Sequence, residues 1–359
     1  MNVSWSEWFW LPSNITWNDF EPRNGTVPAN YKDLFIWPFV FMAGILFLRN
    51  CIIVPLVFQP FGKWLGIRSK VYTEPSPNAD LEQLYKVNRA RPPVELVRSY
   101  AHTIGWTERK VQRWLRHKAL SQQTTTLDKF CENGFQGVYY GSFMIFGLAT
   151  VATEPFCWDI SLAFIGYPQI DMSPQLWCYL MTCMGFYLCQ SVTLFTETRK
   201  HDFWVMLTHH VCTLSIIVIS WTLNYVRICS VSVAVHECAD LVLVIGKCLL
   251  YAGKSNISNY LGVPFFIIWV ITRLIIYPFY LIKASLILSP RLQGGVWPGY
   301  FLMNGLNITM LVLHIIWTKW LIDTLKTRLT STVMTDVRSS CDELDDEPAP
   351  ESVESSKDK

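Results

Sequence analysis

The chain has 359 residues, 51% of them hydrophobic and 16% charged, with a net charge of +2 and a mean hydropathy of +0.24. A soluble globular domain carries roughly 25% charged residues, so the composition excludes an ordinary soluble protein, and the near-zero net charge by itself points to no nucleic-acid partner. Eleven cysteines lie mostly inside apolar runs with no C-x-x-C pair, which excludes a disulfide or zinc framework and fits buried thiols in packed helices.

Residues 1–33 form an N-terminal segment. It holds Trp and acidic residues but no basic stretch followed by an apolar one, so no cleavable signal peptide is expected. Three acceptor sequons lie here, at Asn2, Asn14 and Asn24; such sites are glycosylated on the lumenal side of a membrane. Crossing the hydrocarbon layer takes roughly 20 apolar residues. Seven stretches qualify, at about 34–58, 134–153, 174–195, 203–223, 228–252, 260–288 and 298–322; Glu237, Asp240 and Lys247 interrupt the fifth. The sixteen Trp and fifteen Tyr suit membrane interfaces.

Residues 59–128 are polar and read as a small cytosolic domain. Across 59–133 there are 13 Lys or Arg against 7 Asp or Glu. In "TERKVQRWLRHKAL" the pattern predicts a helix with Thr107 as N-cap, Glu108 in the first turn, and Val111, Trp114 and Leu115 on one face. Residues 129–328 hold the remaining spans, and 329–359, with 3 basic against 9 acidic residues and few apolar ones, read as a disordered acidic tail. In that tail Ser339 and Ser340 each stand three residues before an acid and are candidate phosphorylation sites. Basic residues concentrate in 59–133, at Arg199 and Lys200, at Lys254, and from Lys319 to Arg328, all of which fall on one side; only Arg23, Lys32, Arg227 and Arg291 fall on the other. The positive-inside rule makes the first side cytosolic, with the N-terminus lumenal and the C-terminus cytosolic. The sequon at Asn256 is then cytosolic and that at Asn307 lies within a span, so both are expected bare.

Polar groups inside spans are costly and are functional candidates by default. His209 and His210 lie about 10 Å into the fourth span at 1.5 Å per residue. His236, Glu237 and Asp240 lie in the fifth, and His236 and Asp240, four apart, share a helix face. An antiparallel neighbour can thus offer the Asp240 carboxylate to one of the paired histidines, orienting the ring and stabilising its charged form. Adjacent residues point about 100° apart on a helix, so one ring is expected to meet substrate and the other a neighbouring helix; the sequence does not say which. The bland alternative is a set of hydrogen bonds holding helices together. Metal chemistry is the other. Seven histidines, with His201 and His209 too far apart for an H-x-x-H-H box, do not make a di-iron site, and a lone metal on His209 or His210 with Asp240 is the weaker reading. An imidazole in a dry cavity near the cytosolic face can take a proton from an amine or accept an acyl group. Acyl-CoA, with a soluble head and an apolar chain, is the substrate that suits such a place.

The string "RKHDFWVMLTHHVCTLSIIVISWTLNYVRICSVSVAVHECADLVLVIGKCLLY" resembles the signature of the ceramide synthase family of TLC-domain membrane proteins. Matching positions are Asp202 and Phe203, His209 and His210, Asn224 and Arg227, His236, Asp240 and Lys247; "KFCENGF" and "GYPQ", residues 166–169, are further landmarks. Glu237 stands where the family usually has Asp, Val244 where it usually has an acid, and His201 where it usually has Lys. The resemblance covers roughly 60–325. It implies an all-α fold, a six-helix TLC bundle around a central lipid cavity preceded by one extra span. It implies transfer of a fatty acyl group from acyl-CoA to the amine of a sphingoid base, sphinganine or sphingosine, in the endoplasmic reticulum membrane, with no cofactor. His209, His210 and Asp240 are then the catalytic residues, with Asp202, Asn224, Arg227, His236 and Glu237 lining the cavity or supporting it, and partners are expected to be substrates, membrane lipids and a homo- or hetero-dimer of related synthases. In this family the loop joining the last two spans, here 289–297, is tied to acyl-chain length. The helix at 107–120 resembles a truncated homeodomain recognition helix, with Trp114 at the core Trp; His117 occupies the place of the adenine-reading Asn, so no nucleic-acid partner is expected, and the basic surface suits anionic headgroups or CoA phosphates. Readings from other classes are a non-enzymatic TLC-domain lipid sensor or translocon-associated factor, and a homeodomain-like regulator.

Overall fold

A computed structural model describes residues 6–330 except 24, 68, 70, 71, 89–91, 123 and 197–201. Among these residues the secondary structure is helical, with no strand. Six helices are long and apolar enough to cross a membrane: α1 (Trp37–Trp64), α6 (Pro174–Thr196, its span ending at Phe195), α7 (Phe203–Thr222), α8 (Val226–Tyr251), α9 (Ser255–Gln293) and α10 (Pro298–Thr330, its span ending at Lys326). Between α1 and α6 come α2 (Ala79–Asn88), α3 (Val94–Ile104), α4 (Glu108–Ser121) and α5 (Thr126–Thr150). The seventh stretch expected to span corresponds to α5. It is 25 residues long but falls short in apolarity: beyond Asp128, Lys129 and Glu132 in its first two turns, the turns that follow carry Asn133, Gln136, Tyr139, Tyr140 and Ser142.

Neighbouring pairs run α5 to α6, α6 to α7, α7 to α10, α10 to α9, α9 to α8, and α8 back to α5, so six helices close a ring with α1 lying outside against α6. Small residues make these approaches: a Cβ on Gly137 or Gly141 of α5 would already touch Val244 or Leu241 of α8, and one on Gly185 of α6 would lie 2.9 Å from the Met42 amide of α1. α1 turns Phe39, Val40, Phe47 and Leu56 outward, an apolar surface that suits lipid. The family landmark around "KFCENGF" ties α1 to the ring, since Arg49 pairs with Glu132 at 2.7 Å and Gly134 gives way to the Phe58 ring. Residues Leu48–Phe58 of α1 and Val270–Ile282 of α9 are wound as π-helix around Pro55 and Pro278, a rare form that recurs at functional sites.

The polar segment before α5 is a separate three-helix unit with its own core of Leu81, Leu84, Val97, Val111, Trp114 and Leu115. α4 follows its predicted pattern. The Thr107 hydroxyl caps it by accepting from the Lys110 amide, and Gly105, at φ 69°, makes the left-handed turn between α3 and α4. Trp114 is fixed by donating its Nε1–H to the Ser76 carbonyl at 2.7 Å.

One boundary differs from expectation. Residues 289–293 are helix, not loop: they form the last turn of α9, and the turn begins only at Gly294 and Gly295, at φ 83° and 137°. The tail from residue 331 onward, with Ser339 and Ser340, lies outside the described residues, as do Asn2, Asn24 and His201.

Candidate active site

The histidine pair sits in the first half of α7, two turns after Asp202, which occupies the N-cap position and is buried. His210 is 5% exposed and His209 half-buried, with ring centroids 5.5 Å apart. Despite their angular separation, both meet the Tyr187 ring of α6 edge-on at 6.1 Å. His209 also packs edge-on against Trp317 of α10 at 5.2 Å. Both imidazoles are therefore held where α6, α7 and α10 meet, and His210 is the more enclosed.

α8 presents its polar residues on two faces. His236 looks toward α9 and α10, its ring 4.8 Å from Tyr277 and 5.0 Å from His314. Its Nδ1 lies 2.6 Å from the Ser232 carbonyl. A carbonyl only accepts, so Nδ1 carries the proton and Nε2 keeps a lone pair; that Nε2 is buried with no hydrogen-bond partner. His314 is fully buried and neither of its nitrogens is hydrogen-bonded. Asp240, one turn along, receives the Arg273 guanidinium of α9 at 2.9 Å, while the other terminal nitrogen of Arg273 donates to the His236 carbonyl at 2.8 Å. Arg273 is 4% exposed and lies 4.8 Å over the Trp269 ring. The expectation that Asp240 orients the His209–His210 pair thus meets a partner for Asp240 on a different helix.

Glu237 faces away from this group. The Tyr179 hydroxyl of α6 donates to its Oε2 at 3.1 Å, and the carboxyl is 1% exposed, so it ties α8 to α6. Asn224 and Arg227 support the far end of the bundle. Asn224, fully buried at φ 55°, donates to the carbonyls of Pro168 and Ile170 at 2.8 and 2.9 Å and accepts from the Ala29 amide. Arg227 donates to the Leu162 carbonyl at 3.2 Å. Both hold the loop that contains "GYPQ". Lys247 lies farther along α8.

A rim of rings joins the two histidine groups: Trp317 stands between His209 and His314, at 5.2 and 6.4 Å. A narrow cavity starts at Ser232 and Tyr277, beside His236, and runs between α7, α8, α9 and α10 to Ser289, Trp297 and Tyr300. Its wall is apolar with hydroxyls interspersed, which suits a chain of methylenes. Among the described residues no three His, Cys, Asp or Glu side chains converge as metal ligands.

Arg273 and His314 belong to the site but not to the set picked from sequence. Arg273 had a signal, a charge in the apolar run "VITRLIIY", which is expensive unless paired. His314, in "LVLHIIW", had the same signal in weaker form.

Residues 129–323 match the TLC domain family. The chain is 31% identical to ceramide synthase 5 of Homo sapiens over 316 residues, 88% of this chain and 80% of that one. It is 30% identical to human ceramide synthase 3 over 336 residues, 93% and 86% of the two chains. Similarity extends to the Caenorhabditis elegans ceramide synthase hyl-1, 27% identical over 334 residues, 89% and 78% of the two. A TLC domain carrying the histidine pair inside a helix ring, and likeness to these proteins along most of its length, place the chain in the ceramide synthase family.

Proposed function

We propose that the protein is a sphingosine N-acyltransferase of the endoplasmic reticulum membrane that joins the acyl group of acyl-CoA to the amine of sphinganine or sphingosine. The observation that carries this reading is the gathering of His209, His210, His236 and His314 with the Asp240–Arg273 pair inside one ring of membrane helices. One of His209 and His210 acts as base or nucleophile, and Asp240 supports it, with Arg273 fixing the carboxylate. In the direct route the neutral amine attacks the thioester carbonyl, the new C–N bond forms, the C–S bond breaks, and the imidazole carries the amine proton to the departing CoA thiolate. In the covalent route an imidazole nitrogen attacks the thioester carbonyl and the C–S bond breaks to release the CoA thiolate; the amine then attacks the acyl-imidazole, the C–N bond to the ring breaks, and the freed imidazole takes up the amine proton. Acyl-CoA is a co-substrate, and the scheme calls for no cofactor.

The cavity from Ser232 to Trp297 is the place we assign to the acyl chain, and its far end abuts the 289–297 segment. The matched proteins named above are all called ceramide synthases, which favours an enzyme over a lipid sensor or a homeodomain-like regulator. In the three-helix unit Arg109, Lys110 and Arg113 of α4 are exposed and His117 packs edge-on against Tyr72 at 6.2 Å. We assign that basic face to anionic headgroups or CoA phosphates on the cytosolic side. Asn14 is exposed and fits a lumenal N-terminus, whereas the Asn307 side chain accepts from the Tyr277 hydroxyl at 3.0 Å and is engaged.

The test is a microsomal assay with a panel of acyl-CoAs and either sphinganine or sphingosine, with products resolved by mass. N-acylated base that depends on both substrates is expected; no such product from any pair sinks the reading. Radiolabel retained on the chain from acyl-CoA alone would select the covalent route.

A further inference from the structure

The cavity beside His236 ends where three chain segments meet: the turn at Phe164, the turn at Tyr225, and the α9–α10 connection from Ser289 to Tyr300. None of these is a continuous helix, so their mutual placement needs a brace. Residues 6–23 and 25–36 lie across all three. At the α10 start the approach is backbone to backbone: a Cβ on Gly299 would stand 2.9 Å from the Phe9 carbonyl oxygen and 3.3 Å from the Trp10 Cα. Leu11 is 1% exposed and belongs to the same core cluster as Trp297. Asn14 lies 3.8 Å from where a Gly294 side chain would begin.

The same segment reaches the cavity floor through a file of rings. Phe20 meets Tyr167 edge-on at 6.0 Å, and Tyr167 stacks on Tyr225 at 4.8 Å with 9° between planes. The Tyr225 hydroxyl then donates to Gln293 Oε1 at 2.6 Å, an oxygen that also accepts from Ser289 at 3.3 Å. Gln169 clamps the segment by donating to the carbonyls of Asp19 and Glu21 while accepting from the Thr26 hydroxyl. Farther along, Trp221 of α7 donates to the Asn30 carbonyl at 2.9 Å. The Asp19 turn is itself fixed, since the Thr16 amide and hydroxyl hold its carboxyl below the usual carboxylate range.

We infer that residues Phe9–Phe20 form a strap that holds the floor of the acyl-chain cavity shut and so sets the longest chain the enzyme accepts. The inference rests on the acyl-transfer reading and adds that chain-length choice is divided between the α9–α10 connection and an element some 270 positions upstream. Trp10, Leu11 and Phe20 are positioning residues: they pack behind the floor, Phe20 by way of Tyr167, and none of them lines the cavity.

The experiment is a competition assay on full-length protein in microsomes, with sphinganine and an equimolar series of saturated acyl-CoAs. Three single variants are compared with wild type: Leu11→Ala, Phe20→Ala and Gly299→Val, the last forcing the strap off α10. A shift of the product distribution toward longer chains, at least about threefold in the long-to-short ratio, is expected for each variant that accumulates. If Gly299→Val does not accumulate, the two alanine variants decide alone. An unchanged ratio at normal turnover overturns the inference. A fall in turnover that is equal for every chain length overturns it too, because it marks the strap as merely structural. A wild-type enzyme that N-acylates with no acyl-CoA of any length is a different result: the acyl-transfer reading itself then fails.

Discussion

The Asp240 carboxylate and the Arg273 guanidinium meet at 2.9 Å between α8 and α9, and the same guanidinium also donates to the His236 carbonyl. One side chain thus fixes a carboxylate and the backbone of a histidine one turn away. The planar fork of Arg aims two separate nitrogens at the two acceptors, whereas Lys has a single nitrogen from which to reach both. Removing one partner of a buried pair typically costs about 3–5 kcal/mol because the other charge is left uncompensated; with Asp240 about one-fifth exposed, the lower end applies. We therefore expect Arg273→Gln to lower both the unfolding midpoint in detergent and turnover. Arg273→Lys should recover part of the first and little of the second. Adding Asp240→Asn to Arg273→Gln should restore stability but not activity. Equal stability of the single and double variants would show that the pair is uncoupled.

For the histidine pair, positioned acid–base catalysis contributes roughly a hundred- to ten-thousandfold. His209→Ala and His210→Ala are compared at matched expression in the microsomal assay, and at least one should lose activity on that scale. His210 is the more enclosed ring and His209 the one packed on Trp317, so Trp317→Leu should impair the enzyme mainly through His209. Full turnover in both alanine variants would remove the pair from the chemistry.

Much of this was legible in the sequence, and the parts that were not share a physical reason. Apolar run length located the six qualifying helices within a few residues, because the bilayer imposes it. α4 was legible to its N-cap, because the Thr107 hydroxyl and the Val111, Trp114, Leu115 stripe obey local rules. The pairing of Asp240 was not. Helix periodicity says which residues share a face with His236, but the neighbour of that face depends on the order of helices around the ring, and nothing local encodes it. Arg273 was visible as a costly charge, yet its partner lay 33 residues away. The strap of residues 9–20 was the least legible, since it is held by backbone carbonyls, a glycine and ring contacts to residues far along the chain, none of which leaves a local sequence pattern.

Asn224 offers a graded test of the far end of the bundle. It combines a left-handed backbone, φ 55°, with two hydrogen bonds donated to the loop at 168–170. Replacing it by Ala leaves buried carbonyls unmet and keeps an L-residue in a strained conformation, a loss of roughly 2–4 kcal/mol. Asn224→Gly forfeits the same bonds but relaxes the backbone. Unfolding midpoints should fall in the order wild type, Gly, Ala. Identical midpoints for all three would show that this residue does not hold the loop.

His314 separates packing from chemistry. Its ring is fully buried, neither nitrogen is hydrogen-bonded, and it touches His236, Tyr277, Trp269 and Trp317. A buried polar group with no partner carries an uncompensated desolvation cost of about 1–3 kcal/mol. His314→Phe keeps an aromatic of similar shape and removes that cost, so the unfolding midpoint should hold or rise. Retaining an imidazole there against its own cost makes sense if its nitrogens are used in turnover, with the His236 ring 5.0 Å away. The variant is accordingly expected to be stable and at least about a hundredfold slower, the lower end of the range for a positioned acid or base. Stability gained with turnover unchanged would assign His314 to packing alone.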